Sequence, residues 1–362
     1  MYKYRGLPVV LQYLILIVLV TILLLALKTR EYASTLPIDQ TERSQPSAVL
    51  DIIELKEQFP APSTTSASTG SNITQRDLAA AEETWRRSIE RRFAERRESV
   101  RARCEEVGPY PYSVYRTARM SFYLSKNYNL VMCVTAKSGA TTWKTHLLRL
   151  DGVTDPRIGN PHSGKYDRLI RASIQLSPAQ LQEALTSPSA TRVMTARHPL
   201  ARLVSGYQDK FNDGQRALRS MWGYLTQRHC RNCTRTDGTL PFPQFLSLVL
   251  SEFRKRGVAG LNKHYRPYST VCSPCGIQYD YIFKQETFDE DLRYLTQVLD
   301  LKEVKAGLRT NTKGDKSQHS RYLEYYRDVP PDVLKQIFRL YEKDFRIFDY
   351  EIPEILLKKI QD

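Results

Sequence analysis

The central part of the chain repeats one pattern of apolar and polar positions. The short apolar run 129–135 is bounded by polar residues, which is typical of a buried strand. A glycine-containing loop follows, and residues 142–150 then have helical spacing. The same order returns with a strand at 191–196, a turn at 197–199 and a helix at 200–211. This succession predicts an α/β fold with a mainly parallel central sheet.

Apolar stripes predict two further helices. Trp85, Ile89 and Phe93 recur at helical spacing within the arginine-rich segment 76–104. We expect this narrow stripe to dock on the globular domain or on a second copy of the chain. Apolar residues also keep helical spacing over 333–345, which predicts a packed C-terminal helix.

The longest apolar run lies near the N-terminus. Residues 7–27 carry no charge and match the ~20 apolar residues that cross a bilayer as a helix. A cleaved signal peptide is the alternative, but its apolar region usually spans only ~7–15 residues. The pattern predicts a cytosolic tail at 1–6 and a transmembrane signal-anchor at 7–27. A stem with the basic helix would occupy 28–105, and the globular domain 106–362.

Other features favour a luminal location for the body of the chain. Residues 28–74 are rich in Ser, Thr, Pro, Ala and Gln, and this composition cannot bury enough apolar area to fold. Asn72 and Asn232 each begin an N-x-[ST] sequon, which is glycosylated only in a luminal protein. We therefore expect a luminal stem and domain with glycans at both sites.

The cysteines have two interpretations. All 6 cysteines follow the apolar run, and an even number in a luminal setting permits disulfides whose pairing the sequence leaves open. The pairs Cys230/Cys233 and Cys272/Cys275 superficially resemble a four-cysteine zinc site. The gap between the pairs exceeds zinc-ribbon spacing, so disulfides are favoured and no metal is expected.

Charge narrows the class of partner. The chain carries 54 Lys and Arg against 39 Asp and Glu, a net charge of +15, which favours anionic partners. Part of this excess lies in residues 76–103, where arginine and glutamate mix as they do on a solvated helix face. Charge alone therefore does not choose among nucleic acid, acidic lipid, nucleotide and acidic polysaccharide.

The loop after the first predicted strand has the features of an anion site. Residues 136–142 lie where backbone N–H groups and the helix dipole attract anions. Lys137 adds positive charge, and Thr141 and Thr142 offer hydroxyl donors. An ordinary strand-to-helix turn with a surface lysine is the alternative. The Walker pattern of P-loop kinases is absent, because the lysine precedes Gly139.

The second predicted strand ends in a comparable basic turn. Arg197 ends this strand, and Ser205 lies two helical turns later, so both can reach a second phosphate. Arg202, on the same helix, adds positive charge. Taken alone, Arg197 and Arg202 are better explained as surface or ion-pair residues than as ligands. The two loops together favour a ligand with two anionic groups.

These segments resemble the Golgi carbohydrate sulfotransferases that modify chondroitin, dermatan and related glycans bearing N-acetylgalactosamine or glucuronate. Residues 136–144 (AKSGATTWK) are similar to that family's segment for the 5′-phosphosulfate. Residues 197–211 (RHPLARLVSGYQDKF) closely match its 3′-phosphate segment, and the block 264–287 shares its His, Cys-x-Pro-Cys and Tyr-Asp elements. The similarity spans residues 131–350 and therefore leaves out the stem.

The resemblance implies a P-loop-like sulfotransferase fold for residues 106–362, with 3′-phosphoadenosine 5′-phosphosulfate as co-substrate and no metal. It also implies that the two loops form the donor site. The residues concerned are Ala136, Lys137, Ser138, Gly139, Ala140, Thr141, Thr142, Arg197, His198, Pro199, Leu200, Ala201, Arg202, Leu203, Val204 and Ser205.

Two residues are assigned catalytic roles by this resemblance. Lys137 is the candidate for stabilising the leaving phosphate oxygen. His264 is the candidate general base for the acceptor hydroxyl, because a neutral imidazole suits that role near neutral pH. A structural histidine is an equally good interpretation of His264, and His198 and His162 are lesser alternatives for the base.

Four family positions differ in this chain. Ala136, Ala140, Thr142 and Tyr265 stand where the family has proline, cysteine, asparagine and tryptophan. None of these changes removes the lysine, arginine or serine that the resemblance assigns to the donor. The changes leave the identity of the acceptor open.

Resemblance and anchor together predict a single-pass type II protein of the Golgi membrane with a luminal catalytic domain. The expected acceptor is an acidic glycan or proteoglycan, nucleic acid is not expected as a partner, and the stem helix allows a homodimer. The alternative function is a membrane-anchored glycan-binding protein that keeps the fold without turnover.

Overall fold

The computed structural model describes residues 74–108, 121–153, 160–212, 221–229, 239–305 and 321–361. The predicted tail, the apolar span 7–27 and the stem up to residue 73 lie outside these ranges, as do the sequons at Asn72 and Asn232. None of the described helices is long and apolar enough to span a bilayer. The anchor and the glycans therefore stay predictions.

The described residues form strands separated mainly by groups of helices. The elements are α1 (Gln75–Val107), β1 (Phe122–Ser125), β2 (Leu130–Cys133), α2 (Ala140–Leu150), α3 (Gly164–Ile170), α4 (Ala172–Gln175), α5 (Pro178–Thr186), β3 (Thr191–Ala196), α6 (Pro199–Lys210), α7 (Met221–His229), α8 (Phe242–Gly260), α9 (Tyr268–Val271), β4 (Tyr281–Lys284), α10 (Phe288–Val298), α11 (Pro331–Ile347) and α12 (Glu354–Gln361). Short 3₁₀ turns occupy Gln285–Thr287 and Tyr322–Tyr326.

The described strands form one 4-stranded sheet in the order β1-β2-β3-β4. β1 runs antiparallel to β2, whereas the β2–β3 and β3–β4 pairs are parallel. The predicted α/β fold with a mainly parallel sheet is therefore confirmed. The strand predicted at 191–196 is observed with the same bounds. The strand predicted at 129–135 is shorter, because the chain turns into the loop after Cys133.

Both faces of the sheet are covered. Met132 belongs to a buried cluster that includes Ile89 and Phe93 of α1. Val131, whose side chain points the other way, belongs to a second cluster that includes Ile347 of α11. Burial on both faces explains why the strands read as continuous apolar runs rather than alternating ones.

The basic helix α1 packs against the sheet. Ile89 and Phe93 of its apolar stripe are buried, and Arg96 forms an ion pair of 2.7 Å with the fully buried carboxylate of Asp291. The stripe therefore docks on the domain, the first of the two expected contacts. The homodimer stays a prediction.

Two disulfides tie distant elements together. Cys104 of α1 pairs with Cys275, and Cys133 of β2 pairs with Cys272. Closing loops of 171 and 139 residues stabilises the fold by about 4–5 kcal/mol each in the chain-entropy model. Cys272 and Cys275 are therefore not zinc thiolates. No group of three or more His, Cys, Asp or Glu side chains in the described ranges is arranged to hold a metal ion.

Candidate active site

The loop 136–142 leaves the carboxyl end of β2 in a left-handed conformation. Lys137 has φ 70° and Gly139 has φ 76°, a region that costs a lysine roughly 1–2 kcal/mol and a glycine little. A Cβ atom at position 139 would lie 3.3 Å from Gln285 Oε1. Gly139 is also the N-cap of α2 and offers no side chain to its N–H groups. The N-terminal amides of α2 thus border this loop.

The ammonium of Lys137 is held by a carboxylate from α6. Lys137 Nζ lies 3.0 Å from Asp209 Oδ2, and Lys210 Nζ lies 3.0 Å from the same oxygen. Burial lowers the pKa of Lys137, and the neighbouring Lys210 and Arg197 add to this. Partial burial acts to raise the pKa of Asp209, but the two ammonium groups hold it below its usual value. Asp209 is therefore a carboxylate shared by two cations.

Arg197 joins the second basic turn to this loop. Its Nη1 donates to the carbonyl oxygen of Lys137 at 3.2 Å. Its Nε is buried without a hydrogen-bond partner, as is Gln285 Oε1 beside Gly139. Burial also lowers the pKa of Arg197. Since unpaired buried donors are rare in proteins, the unmet Nε of this cation indicates a site for an anion.

Arg202 connects the loop to the third sequence block. It is 1% exposed and donates to the carbonyl oxygens of Ala136 (3.1 Å), Arg266 (2.6 Å) and Lys263 (3.3 Å). Its guanidinium also lies 4.2 Å from the centroid of the Tyr268 ring. Arg202 therefore fixes the backbone on both sides of the site.

Tyr268 is the second link between the loop and this block. Its hydroxyl forms a hydrogen bond with the Ser138 hydroxyl, and both side chains are buried. The backbone N–H groups of Tyr268 and Ser269 donate to the buried carboxylate of Asp344 at 2.6 and 2.8 Å. The three blocks found in the sequence thus meet at one edge of the sheet.

The remaining residues of the second block have mainly packing contacts. His198 donates its backbone N–H to Glu286 Oε1 at 2.9 Å, and its Nε2 lies 2.9 Å from the Glu351 carbonyl oxygen. Its ring contacts Tyr322 and Tyr350. Ser205 is half-buried on α6. The buried residues that pack α6 against the core are Pro199, Leu200, Ala201, Leu203 and Val204.

The other two candidate histidines lie near the loop. His264 Nδ1 is 2.8 Å from Asn262 Oδ1, and burial together with Lys210 and Lys263 lowers the pKa of His264 to about 3. His162 Nε2 is 3.0 Å from the Thr141 hydroxyl, and burial first of all lowers its pKa to about 4. Both imidazoles are therefore neutral near pH 7.

Buried polar contacts hold the segment that carries His264. Glu252 of α8 is 1% exposed and accepts from the Tyr265 hydroxyl at 2.5 Å and from the Asn262 N–H at 3.4 Å. Arg256 completes this group, with Nη1 3.0 Å from Glu252 Oε1. Tyr265, which stands where the resembling family has tryptophan, thus donates a buried hydrogen bond to Glu252.

Several residues of the site were not found from the sequence. Asp209 lies within the second block, one helical turn after Ser205, and the block itself was the signal that could have led to it. Gln285 lies within the third block. Trp222, whose ring centroid is 4.9 Å from that of His264, and Glu252 come from elements outside all three blocks and left no local signal.

The fold and the site define an α/β protein with a basic, anion-binding loop at the end of a parallel strand. A model described as "Sulfotransferase family" matches residues 120–351. The chain therefore belongs to the sulfotransferase family and is a sulfotransferase. This confirms the family to which the three sequence blocks pointed.

Relatives of known name agree with this assignment. Carbohydrate sulfotransferase 11 of Mus musculus is 25% identical over 244 residues, which cover 64% of this chain and 68% of that protein. Carbohydrate sulfotransferase 14 of Homo sapiens is 24% identical over 280 residues (74% and 71%), and carbohydrate sulfotransferase 9 of Homo sapiens is 24% identical over 241 residues (64% and 53%). No solved structure gives a significant match.

Proposed function

We propose that this sulfotransferase transfers the sulfuryl group of 3′-phosphoadenosine 5′-phosphosulfate to a hydroxyl of a glycan. The bond from sulfur to the bridging phosphate oxygen breaks, a bond from sulfur to the acceptor oxygen forms, and a base takes the hydroxyl proton. The products are a sulfated glycan and adenosine 3′,5′-bisphosphate. The family match and the names of the relatives support this reaction.

One observation carries the proposal: Lys137 and Arg197 lie together, and a buried N–H group of Arg197 has no hydrogen-bond partner. Arg197 Nη1 holds the Lys137 carbonyl, while Arg197 Nε is buried and has no partner. A ligand with two anionic ends fits a site of this kind. We assign the 5′ end to the P-loop-like loop 136–142 and the 3′-phosphate to Arg197 and Ser205.

Lys137 supplies positive charge where the leaving oxygen develops negative charge. Its ammonium already lies at the loop, 3.0 Å from Asp209, and exchanges this partner for the leaving phosphate. Sulfuryl transfer resembles phosphoryl transfer, in which positioning and charge neutralisation do most of the catalysis. Removal of one such donor typically costs about 100–1,000-fold in rate.

His264 has the tautomer that a general base requires. Asn262 Oδ1 accepts from the His264 backbone N–H at 3.1 Å and lies 2.8 Å from Nδ1. Because this oxygen accepts, Nδ1 carries the proton, and the lone pair of Nε2 is left for the acceptor hydroxyl. The low pKa keeps His264 neutral, and the negative charge of a bound donor raises it towards the working range.

The acceptor and location are further parts of the proposal. The net charge of +15 favours an acidic glycan, of chondroitin or dermatan type or a related chain bearing N-acetylgalactosamine or glucuronate. The two disulfides are typical of an oxidising compartment. With the apolar span at 7–27, they support a type II Golgi membrane protein with a luminal domain.

The test is transfer of labelled sulfate from the donor by the full-length chain. The acceptors are desulfated chondroitin, dermatan, heparan and an N-glycan. We expect label in one acceptor class and about 100–1,000-fold less in Lys137→Ala. The control is Lys302→Ala, which removes an exposed lysine elsewhere in the chain. Donor binding without transfer to any acceptor would instead support the glycan-binding alternative.

A further inference from the structure

Beside the candidate base lies a half-buried tryptophan. The ring centroids of Trp222 and His264 are 4.9 Å apart in an edge-to-face arrangement, and Trp222 also contacts Phe211 at 5.3 Å. Lys210 Nζ lies 5.8 Å from the centroid of the Trp222 ring. Aromatic and ammonium groups therefore adjoin the imidazole that faces the acceptor in the proposed reaction.

The same place carries an excess of positive charge. Lys263 directly precedes His264 and is exposed, and its backbone carbonyl is fixed by Arg202. Its ammonium forms no ion pair with a carboxylate of the described residues. After burial, Lys210 and Lys263 are the largest causes of the lowered pKa of His264. Two ammonium groups thus act on this imidazole.

The residues assigned to the donor, 136–142 and 197–205, include neither Lys210 nor Lys263. Lys137 and Lys210 share the carboxylate of Asp209. In an in-line displacement the acceptor enters opposite the leaving phosphate, where His264 takes its proton. Trp222 and Lys263 adjoin His264 and so border the acceptor path of the proposed reaction, and Lys210 Nζ lies near both Asp209 and the Trp222 ring.

We propose that Trp222, Lys210 and Lys263 form the acceptor subsite and select a sugar that carries an anionic group. The indole packs against the apolar C–H face of the sugar next to the acceptor hydroxyl. The ammonium groups bind an anionic group on the same or the neighbouring sugar. This inference rests on the proposed sulfuryl transfer to a glycan.

Two anionic groups of glycans fit this chemistry, a uronate carboxylate and a sulfate ester. An exposed ammonium contributes little to a single ion pair, so Lys263→Gln weakens binding of either anion by about fivefold. Loss of the aromatic face has the larger effect. We expect Trp222→Ala to weaken the binding of all acceptors by about tenfold or more, and Trp222→Phe to recover part of that lost affinity.

Calorimetric binding of hexasaccharides to the full-length chain at low salt tests the subsite. The ligands are unsulfated chondroitin, its carboxyl-reduced neutral form, and the carboxyl-reduced form bearing one sulfate ester. We expect Lys263→Gln to weaken the first, the third or both, and to leave the neutral ligand unchanged. The control Lys302→Gln removes the same charge from a lysine elsewhere in the chain and should change none.

The results separate this inference from the proposed function. Equal affinity of the unaltered chain for neutral and anionic ligands would overturn the subsite, as would an equal effect of Lys263→Gln and Lys302→Gln. Sulfate transfer measured on the same preparations tests the reaction itself. Charge-selective binding without sulfate transfer would support the subsite and contradict the proposed reaction. Sulfate transfer without charge-selective binding would support the reaction and contradict the subsite.

Discussion

The loop 136–142 and the segment 262–266 contribute the two candidate catalytic residues, and they are held in different ways. The loop continues from β2, and its partner Arg197 continues from the neighbouring parallel strand β3, so sheet pairing alone brings them together. The 262–266 segment is a turn between α8 and α9 and is not part of the sheet. Buried side chains hold it: Glu252 accepts from Tyr265, and Arg202 donates to the carbonyl oxygens of Lys263 and Arg266.

This difference separates what the fold supplies from what individual side chains supply. The ends of adjacent parallel strands form a binding edge in any α/β sheet, so the proposed donor side needs few special contacts. The proposed acceptor side depends on the buried carboxylate of Glu252, which is 1% exposed, and on Trp222 of another helix. We expect changes on the two sides to have separable effects, except at Arg202, which contacts both.

The largest expected effect is that of Arg202→Leu. The leucine leaves the carbonyl oxygens of Ala136, Lys263 and Arg266 without this donor. We expect the free energy of unfolding in urea to fall by about 3–5 kcal/mol. Arg254→Leu, at an exposed arginine of α8, is the control and should stay within about 0.5 kcal/mol. A similar small change for Arg202→Leu would show that the two sides are not joined there.

A pair of neighbouring tyrosines separates the two sides. Tyr268→Phe removes the hydroxyl bonded to Ser138, and Tyr265→Phe removes the hydroxyl bonded to Glu252. Each loss costs about 1–3 kcal/mol, because a buried polar partner is left with fewer hydrogen bonds. We expect Tyr268→Phe to weaken the binding of adenosine 3′,5′-bisphosphate several-fold. We expect Tyr265→Phe to raise the KM for the acceptor. Calorimetry and initial rates measure these effects.

Each tyrosine variant is the control of the other. Tyr265→Phe should leave the nucleotide Kd unchanged, and Tyr268→Phe should leave the acceptor KM unchanged at saturating donor. If both variants shift both constants equally, the two sides act as one unit and the comparison fails.

Asp209→Asn sharpens the description of the donor side. The carboxylate lies 3.0 Å from Lys137 Nζ and competes with any anion for that ammonium. Its removal abolishes a repulsion of about 1 kcal/mol between the Asp209 carboxylate and the bound phosphate. Adenosine 3′,5′-bisphosphate should therefore bind about fivefold more tightly. Asp300→Asn, a control at an exposed aspartate near Lys302, should have no effect. Weaker binding by Asp209→Asn would mean that Asp209 mainly positions Lys137.

A pH dependence of stability is also expected on the acceptor side. Burial holds the pKa of His264 at about 3, whereas in the unfolded chain it is about 6.5. Between these values the unfolded chain binds a proton that the folded chain does not, so stability falls as the pH is lowered through this window. Between about pH 7 and about pH 5, we expect the melting temperature of His264→Gln to fall less than that of the unaltered chain.

The same shift predicts the rate profile of the free enzyme. Because His264 stays neutral well below pH 6.5 in the donor-free enzyme, kcat/KM for the donor should show no acid limb at the usual histidine pKa. A limb near pH 6.5 that disappears in His264→Gln would contradict the buried, neutral state of this imidazole.

Several elements followed from sequence periodicity alone. The strand 191–196 and the helices after both strands were predicted because their apolar spacing reflects contact with one core. The structure brings Lys137 and Arg197 together, because parallel strands bring successive loops to one edge of the sheet. The short strands β1 and β4 were not predicted, since four residues carry too little pattern to separate a strand from a buried turn.

The sequence by itself determined the fold class, the basic loops and the family, because these depend on local order along the chain. Only the tertiary structure decided that Lys137 and Lys210 share the Asp209 carboxylate, and that Arg202 donates to backbone carbonyls. It also decided the pairing of Cys104 with Cys275 and of Cys133 with Cys272. It also placed Trp222 beside His264. Such contacts join residues far apart in sequence, and their geometry is set by packing of the whole domain, which no local pattern records.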